Sequence, residues 1–317
     1  KKMSDMGHED IRFCTDSETN LKAIIAVHST KLGPGLGGCR MWNYKNNLAA
    51  LTDVLRLSRG MTYKASITGL NLGGGKAVII GDSSKEKTEK MMESFGQFVD
   101  SLNGKYITAE DVGMTTSDME IIKRKTSHVV GTPKSMGGSG DPSVVTAYGV
   151  YMGMKGSAKF LWGDDNLKGK KIFIQGVGNV GKNLIKYLQK EDAIIFINDI
   201  KQEKTEEIKK QFNVQILSDE EMFEKNIDIY SPCALGATLN DNTIPKLSCS
   251  IVAGAANNQL EKEGLHDIML KNRKIVYAPD FLINAGGLIN VYSELKKFNQ
   301  EKALQKTEEI YETTISI

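Results

Sequence analysis

Residues 171–199 place the strongest constraint on the fold of this 317-residue chain. The apolar run KIFIQ is followed by GVGNVG and then by NLIKYLQK, whose apolar residues recur at helical spacing. This order predicts a strand, a tight glycine turn and a helix, which together begin a parallel α/β sheet. Gly176 would allow the turn, Gly178 would let a pyrophosphate approach the backbone, and Gly181 would let helix and strand pack closely.

Dinucleotide binding is the function that this unit predicts. The N terminus of the helix would present unpaired N–H groups to phosphate charge. The next apolar run, AIIFIND, ends in Asp199, at the distance where an acidic residue holds the ribose hydroxyls of the adenosine. Asp199 would repel a 2′-phosphate and so favours NAD over NADP, while Lys201 and Lys204 nearby leave that preference open. An ordinary turn followed by a solvated aspartate is the alternative interpretation.

The rest of the chain alternates strand-like and helix-like segments, which predicts an α/β protein. Upstream of the glycine motif, LKAIIAVHS, KAVIIG and YITAE have strand patterns, and LAALTDVLRLSRGM and EKTEKMMESFGQFVDSL have helical ones. The glycine-rich break MGGSGDPS precedes another helical stretch, VVTAYGVYMGMKGSAKFL. We therefore expect two domains with a cleft between them, residues 1–140 and a Rossmann-type domain at 141–317. From about Asn284 onward the pattern predicts a single long helix that returns towards the cleft.

Composition argues against several classes of function. The formal net charge is +2 and no run of like charges is present, so a nucleic-acid partner is not expected. Apolar runs are too short for a membrane span, and the N terminus has no apolar signal core. Neither cysteines nor histidines have metal-ligand spacing, so no metal is expected. The four cysteines are widely spaced, so we expect them to be free thiols in a reducing cytoplasm. They are Cys14, Cys39, Cys233 and Cys249.

Two lysines, Lys64 and Lys76, lie at unusual positions in the uncharged segment GMTYKASITGLNLGGGKAVII. An α-amino acid is a hydride donor that needs two such groups. One cation would orient its carboxylate, and a lysine with a pKa lowered by burial and a like-charged neighbour would act as the base when water attacks the iminium. The glycines beside Lys76 would let substrate and nicotinamide approach its backbone, and Asp111 in AEDVG would help to move the proton. Alternatively, both lysines bury only their stems and extend their charged heads into water.

Nine segments, spread in order over nearly the whole chain, resemble the leucine/phenylalanine/valine dehydrogenase group of amino-acid dehydrogenases. They are GPGLGGCRMW, LRLSRGMTYKAS, LNLGGGKAVIIGD, YITAEDVGM, PSVVTAYGVYMGMK, GVGNVGK, CALGATLND, AGAANNQL and INAGGLINV. The resemblance implies a cytoplasmic, homo-oligomeric enzyme that uses NAD. Its reaction would be the reversible deamination of a hydrophobic L-amino acid to the 2-oxo acid and ammonia. In its active-site motifs the chain is most similar to the leucine dehydrogenases.

The same resemblance implies roles for individual residues. Lys64 would bind the substrate carboxylate, and Lys76 and Asp111 would be catalytic. The residues that would line the substrate site are Leu36, Gly37, Gly38, Met61, Ala109, Asn258, Leu288 and Val291. The residues that would contact NAD are Thr146, Gly176, Gly178, Asn179, Val180, Gly181, Asp199, Ala234 and Asn258. Taken alone, Cys39 is interpreted as a packing residue and Arg40 as a structural ion-pair partner, and both are left out of the site.

The preferred side chain is less well defined by the sequence. Ala109 resembles the choice of leucine-preferring members, whereas Leu288 stands where those members carry valine. The C-terminal half also resembles a tryptophan-preferring branch. We expect leucine, valine and isoleucine as substrates, with an aromatic amino-acid dehydrogenase as the alternative. A catalytically silent NAD-binding paralogue is an alternative of a different class, and the joint presence of Lys64, Lys76 and Asp111 argues against it.

Overall fold

The computed structural model describes residues 6–234, 236–297 and 299–317, which form two compact units. The first unit comprises the chain up to Pro142 together with Leu288–Gln300, and the second comprises Ser143–Gly287 together with Glu301–Ile317. Each unit is a sheet packed with helices, so the predicted α/β fold class is confirmed. Residues 288–300 pack with the first unit, whereas the sequence placed them in the second.

The first unit contains a mixed five-stranded sheet of order β1-β2-β4-β3-β5. Strands β1 and β2 run antiparallel, as do β2 and β4, while β3 runs parallel to both β4 and β5. The elements of this unit up to Pro142 are β1 (Asp10–Asp16), β2 (Leu21–Ser29), β3 (Gly35–Trp42), α1 (Asn47–Ile67), β4 (Gly73–Ile80), α2 (Glu89–Asp100), β5 (Tyr106–Glu110), α3 (Thr116–Lys123) and a 3₁₀ turn (Lys134–Met136).

Each face of this sheet is covered by a different helical layer. Apolar residues of α1 such as Val54 pack with Ile24 and Val78 on one face. On the other face, α2 and α3 pack Phe95 and Met119 into a larger core, which includes Cys39. Because side chains alternate along a strand, Lys76 of β4 lies on the same face as Val78, which is the face that α1 covers. Both residues next to Lys76 in the strand are buried.

The second unit contains a fully parallel six-stranded sheet of order β8-β7-β6-β9-β10-β11. This is the doubly wound order in which the direction of winding reverses between the first and fourth strands. Its elements are α4 (Ser143–Trp162), β6 (Lys171–Gln175), α5 (Asn179–Lys190), β7 (Ile194–Asn198), α6 (Gln202–Gln211), β8 (Gln215–Ile216), α7 (Asp219–Glu224), β9 (Ile229–Pro232), a 3₁₀ turn (Ile244–Lys246), β10 (Ile251–Val252), α8 (His266–Asn272), β11 (Val276–Tyr277) and α9 (Asp280–Ile283).

The single helix predicted from Asn284 onward is wrong. The structure has two helices there, α10 (Gly286–Glu294) and α11 (Gln300–Ser316). Helix α10 closes with tight backbone bonds from Leu295 and Lys296, and Lys297 then adopts a left-handed φ of 61°. That conformation ends a helix but is uncommon for lysine, so the sequence carries no glycine signal for the end of α10, although Asn299 directly before α11 is of a type that often precedes a helix.

None of the helices among the described residues combines the length and the apolar character that a membrane span requires.

Candidate active site

The centre of the site is an ion pair between Lys76 and Asp111. Lys76 Nζ contacts Asp111 Oδ2 directly, and their side chains are only 8% and 15% exposed. Lys76 lies in β4, whereas Asp111 follows the last residue of β5, as the sequence predicted. A buried lysine and carboxylate in contact form an arrangement that can accept, hold and return a proton.

The two partners meet across an intervening strand. Strand β3 lies between β4 and β5, and its Gly38 pairs with Ala109 of β5 one residue before the Cys39–Ala77 pair with β4. Strands two apart in a sheet are separated by roughly 10 Å. The long lysine side chain therefore reaches Asp111 over a position where β3 carries no side chain.

The carboxylate of Asp111 is fixed by all of its contacts. Burial raises the pKa of Asp111, but the ammonium of Lys76 and the guanidinium of Arg40 outweigh burial and hold the pKa at about 2. The backbone N–H of Val112 donates to Oδ1 at 2.8 Å. Asp111 is therefore ionised at neutral pH and keeps one orientation.

The glycines beside Lys76 do not have the role that the sequence suggested. A methyl group on Gly75 would lie 2.6 Å from the ring of Tyr106, and one on Gly74 would collide with Ser58 and Thr62 of α1. The space above these residues is filled by the protein itself. The expectation that they leave room for substrate and nicotinamide is wrong for Gly74 and Gly75, where glycine lets α1 and Tyr106 pack directly on the strand.

Four of the predicted substrate residues lie together around β3. A methyl group placed on Gly38 would lie 2.8 Å from Asp111 Cβ. A methyl group placed on Gly37 would lie 3.2 Å from Met61 Cγ. Ala109 is buried and pairs with Gly38. Gly38 and Ala109 thus adjoin the Lys76–Asp111 pair, while Met61 approaches from α1.

Two further predicted residues of the first unit are buried nearby in the fold. Leu36 precedes Gly37 in β3 and is completely buried, so it belongs to the core. Lys64 lies in the last turn of α1, the helix that packs on β4, and is 9% exposed. A lysine with so little exposure does not extend its head freely into water, which disfavours the snorkelling alternative for Lys64 and equally for Lys76.

Leu288 and Val291 lie one turn apart on α10, and both are buried. The next turn of this helix carries Glu294, which the sequence analysis did not single out. Its carboxylate accepts from the N–H groups of Gly131 (2.9 Å) and Ser139 (2.8 Å) and from the Ser139 hydroxyl. Glu294 thereby attaches α10 to the segment after Val130, whose N–H donates to Thr108 of β5.

The glycine motif of the second unit forms the predicted turn. Gly176 has a φ of 102°, and a methyl group on it would lie 2.8 Å from Ala234, which follows β9. Gly181 packs against the Gly176 carbonyl, whereas a methyl group on Gly178 would meet no atom of the described residues within 4 Å. Helix α5 then begins at Asn179, followed by Val180. Its N-cap residue is Gly178, so no side chain at that position occupies the first N–H groups of the helix. The open space at Gly178 and the uncapped helix start fit a pyrophosphate group.

Asp199 points back to this turn. Its Oδ2 accepts from the N–H of Val177 at 3.0 Å, and its Oδ1 accepts from the N–H of Lys201 at 3.0 Å. These two bonds hold the carboxylate at the end of β7 while each oxygen retains acceptor capacity for a ribose hydroxyl.

The remaining predicted cofactor residues lie in the same unit. Thr146 is in the first turn of α4, and Asn183 connects that turn with α5 by donating to Ser143 (3.2 Å) and to the Asn179 carbonyl (2.9 Å). Asn258 has a left-handed φ of 53°, and its carbonyl accepts from Ala237 N–H.

A neighbouring amide was missed by sequence reasoning. Asn284 Nδ2 donates to the Ala255 carbonyl and to Asn257 Oδ1, whereas its buried Oδ1 has no hydrogen-bond partner among the described residues. An unsatisfied buried acceptor suits a site that receives a polar ligand.

One group of side chains in the described part of the chain could hold a metal ion by distance alone, namely Asp241, Glu261 and His266. His266 Nδ1 accepts from the Lys262 N–H, and its Nε2 faces Asp241 Oδ1 at 3.3 Å. Lys262 Nζ also pairs with Asp241 at 3.1 Å. Both ring nitrogens of His266 and the Asp241 carboxylate therefore contact protein groups in this structure.

Both units match known protein families. Residues 8–128 match the dimerisation domain of Glu/Leu/Phe/Val dehydrogenases. Residues 137–201 and 193–316 match the Glutamate/Leucine/Phenylalanine/Valine dehydrogenase domain.

Individual relatives cover almost the whole chain. The leucine dehydrogenase of Bacillus subtilis is 52% identical over 311 residues, which are 98% of this chain and 85% of that protein. The L-tryptophan dehydrogenase of Nostoc punctiforme is 47% identical over 313 residues, covering 99% and 88% of the two chains. A crystal structure of L-tryptophan dehydrogenase from Nostoc punctiforme superposes with a TM-score of 0.83 at 45% identity, over 99% of this chain and 90% of that one.

Proposed function

Because this chain belongs to the glutamate/leucine/phenylalanine/valine dehydrogenase family and is an amino-acid dehydrogenase, we propose that its reaction is the reversible, NAD-dependent deamination of branched-chain L-amino acids. The products are the 2-oxo acid and ammonia. The observation that carries the proposal is the buried Lys76–Asp111 ion pair, which is suited to proton transfer beside a reacting carbon.

The residues of the first unit have distinct tasks in this reaction. Lys64 binds the substrate carboxylate by a charge-assisted hydrogen bond. NAD, when bound, would supply the hydride acceptor, and loss of hydride from Cα of a substrate whose amino group has given up its proton to solvent would leave an iminium. Lys76 takes a proton from the water that attacks this iminium, and Asp111 holds the lysine in place. Lys76 returns this proton to the amino group of the resulting carbinolamine and takes up the proton of its hydroxyl as the C–N bond breaks, which releases ammonia and the 2-oxo acid.

The glycine turn and Asp199 support NAD as the nicotinamide cofactor. Gly176, Gly178 and the start of α5 would hold the pyrophosphate, and Asp199 would accept from both ribose hydroxyls. A phosphate at the 2′ position would face the fixed carboxylate of Asp199 and be repelled by it.

Replacement of Asp199 by serine should relax the preference for NAD over NADP. The variant removes the charge opposed to the 2′-phosphate and keeps a small polar side chain. The measurement is the ratio of kcat/KM for NAD to that for NADP, with Glu207→Ser on the exposed surface of α6 as the control. A parent enzyme that uses both cofactors equally would show that Asp199 does not select the cofactor.

The substrate side chain is proposed to lie against Ala109, Leu288 and Val291. The 50–52% identity to several leucine dehydrogenases supports branched aliphatic substrates. Leu288 and the 46–47% identity to phenylalanine and L-tryptophan dehydrogenases favour the aromatic alternative. An apolar pocket discriminates weakly, since one methylene contributes only about 1–3 kcal/mol. Leucine, isoleucine and valine should therefore all react.

Ala109→Gly should raise kcat/KM for phenylalanine relative to leucine by about tenfold, because removal of one methyl group enlarges the space available to a ring. The matched control is Ala77→Gly, which removes the same group from the opposite face of the sheet, where it packs in the larger core. A ratio that changes equally in both variants would place the substrate side chain elsewhere.

The test of the proposed function is a comparison of kcat/KM for NADH formation with leucine, isoleucine, valine, phenylalanine and tryptophan. We expect the three aliphatic substrates to lie within about two orders of magnitude of one another and above both aromatic ones. Preference for phenylalanine or tryptophan would establish the aromatic alternative instead.

Assembly and location complete the proposal. The match of residues 8–128 to a dimerisation domain supports a homo-oligomer. The exposed apolar side chains Phe13, Trp42 and Leu48 of the first unit are consistent with burial between subunits. The four cysteines are all free, which suits a reducing cytoplasm.

A further inference from the structure

We propose that Arg40 is a positioning residue of the catalytic ion pair, which keeps Asp111 in place while Lys76 exchanges its proton. Arg40 lies on β3 two residues after Gly38, on the same face of the sheet. Its Nε is 3.5 Å from Asp111 Oδ2, the oxygen that also contacts Lys76. The inference rests on the proposed function, because it assigns a role to Arg40 within that reaction.

Arg40 is itself held by a second carboxylate, that of Asp53. Its Nη1 donates to Asp53 Oδ2 of α1 at 3.1 Å, and the Tyr44 hydroxyl donates to the same oxygen at 2.6 Å. Burial and the Asp53 carboxylate raise the pKa of Tyr44 far above its ordinary value, so Tyr44 remains a donor. The guanidinium therefore has a defined position beside Asp111.

The four charged groups form a continuous, balanced row from Lys76 through Asp111 and Arg40 to Asp53. Side-chain exposure increases along this row, from 8% for Lys76 to 15%, 20% and 25% for the other three. Two cations thus alternate with two carboxylates. Each charge in the row, including that of Lys76, the most buried member, therefore has an opposite charge next to it.

The row has a specific consequence for turnover. When Lys76 acts as a base it must pass through its neutral form, and at that moment Asp111 loses the positive charge in direct contact with its Oδ2. A buried carboxylate without a counter-charge is strongly destabilised. Arginine does not lose its proton in proteins, so Arg40 supplies a permanent positive charge during this step. Arg40 thereby keeps Asp111 ionised and oriented for the return of the proton.

Other ionisable groups interact electrostatically with Asp111 and enter any titration. They are Glu110 at the end of β5, Cys39 of β3, Tyr106 of β5 and Tyr44. Burial raises the pKa of Glu110, Cys39 and Tyr106 alike. None of these four supplies a positive charge, and Lys64 in the last turn of α1, the other buried lysine of this unit, is assigned to the substrate carboxylate rather than to Asp111.

The test begins with the pH dependence of kcat for leucine in the parent and in Arg40→Gln. Misplacement of a catalytic group by about 1 Å can cost about 10²-fold, and we expect a loss of this size in kcat. The limb of the profile that reports deprotonation should also move to higher pH, because removal of a positive charge favours the protonated form of its neighbours. KM for NAD should not change.

Two further variants separate positioning from a structural role. Arg40→Lys keeps the charge and should recover part of kcat and restore the parent pH limb. Lys87→Gln is the matched control, because Lys87 is 18% exposed and pairs with Asp118 at 2.7 Å in the same unit. This control should retain the parent kcat and pH limb. A loss in Arg40→Gln that is uniform with pH and is not recovered by Arg40→Lys would overturn the proposal.

A measurement without substrate distinguishes failure of this inference from failure of the proposed function. Acetylation of Lys76 by acetic anhydride, followed by mass spectrometry as a function of pH, reports its protonation directly. The labelling curve should move to higher pH in Arg40→Gln and stay unchanged in Lys87→Gln. An inactive parent would refute the proposed function alone, whereas identical curves for parent and Arg40→Gln would refute the role of Arg40.

Discussion

Lys76→Ala should lower kcat for leucine oxidation by about 10²–10⁴-fold, the usual contribution of a general base. The variant removes the amine that accepts a proton from the attacking water and leaves the cofactor residues of the second unit unaltered. Binding of NADH, followed by its fluorescence, should therefore remain at the parent level. Steady-state kinetics and a binding titration on the same preparation measure both quantities.

Lys87→Ala provides the control for this prediction. It also removes a largely buried lysine of the same unit and leaves the carboxylate of Asp118 without the lysine that pairs with it. It should lower thermal stability to a similar degree but leave kcat within a few-fold of the parent. A kcat for Lys76→Ala within tenfold of the parent would show that the base lies elsewhere.

Gly38→Ala should be almost as damaging, although it adds only one methyl group. That group would lie 2.6 Å from the Glu110 carbonyl oxygen and 2.8 Å from Asp111 Cβ. Real contacts of this type are longer, so the end of β5 must shift and move Asp111 away from Lys76. Because misplacement of about 1 Å can cost about 10²-fold, we expect kcat to fall by at least that factor.

Gly60→Ala is the matched control for the added methyl group. Gly60 lies inside α1 of the same unit, and a methyl group there would meet no atom within 4 Å. Alanine is favoured over glycine in a helix by about 1 kcal/mol, so this variant should be active and slightly more stable. Gly38→Ala with parent activity and an unchanged melting temperature would contradict the geometry that we assign to β3.

Local sequence patterns were sufficient for the dinucleotide-binding turn of the second unit. The order of KIFIQ, GVGNVG and NLIKYLQK specifies a strand, turn and helix through residues that are adjacent in the chain. Glycine positions and hydrophobic periodicity act at short range, and these are the signals that a single sequence carries. The parallel sheet and the position of Asp199 after β7 follow from them.

The catalytic unit depends more on contacts between distant residues. The sequence suggested roles for Lys76 and Asp111, but their meeting over Gly38 requires β3 to lie between β4 and β5. The same sheet order brings Arg40 to Asp111 and places α1 on Gly74, which is why Arg40 was left out of the site and the glycines were misinterpreted. No pattern within β3 or β4 alone contains this information.

The position of α10 was unpredictable for a related reason. Glu294 is an ordinary helical residue by sequence, and its three hydrogen bonds to Gly131 and Ser139 join segments more than 150 residues apart. The break at Lys297 uses a left-handed lysine where a glycine is usual, and the start of the next helix is marked by Asn299 alone rather than by a glycine–proline break.

The most direct test of the account is the stoichiometry of the reaction with leucine and NAD. NADH can be followed by absorbance, ammonia by a coupled enzyme and the 2-oxo acid by chromatography. If the Lys76–Asp111 pair carries out oxidative deamination, the parent should form the three products in equal amounts, and Lys76→Ala should form all three more slowly by the same factor. Binding of NAD by the parent without formation of any of these products would contradict the account and identify a silent NAD-binding protein.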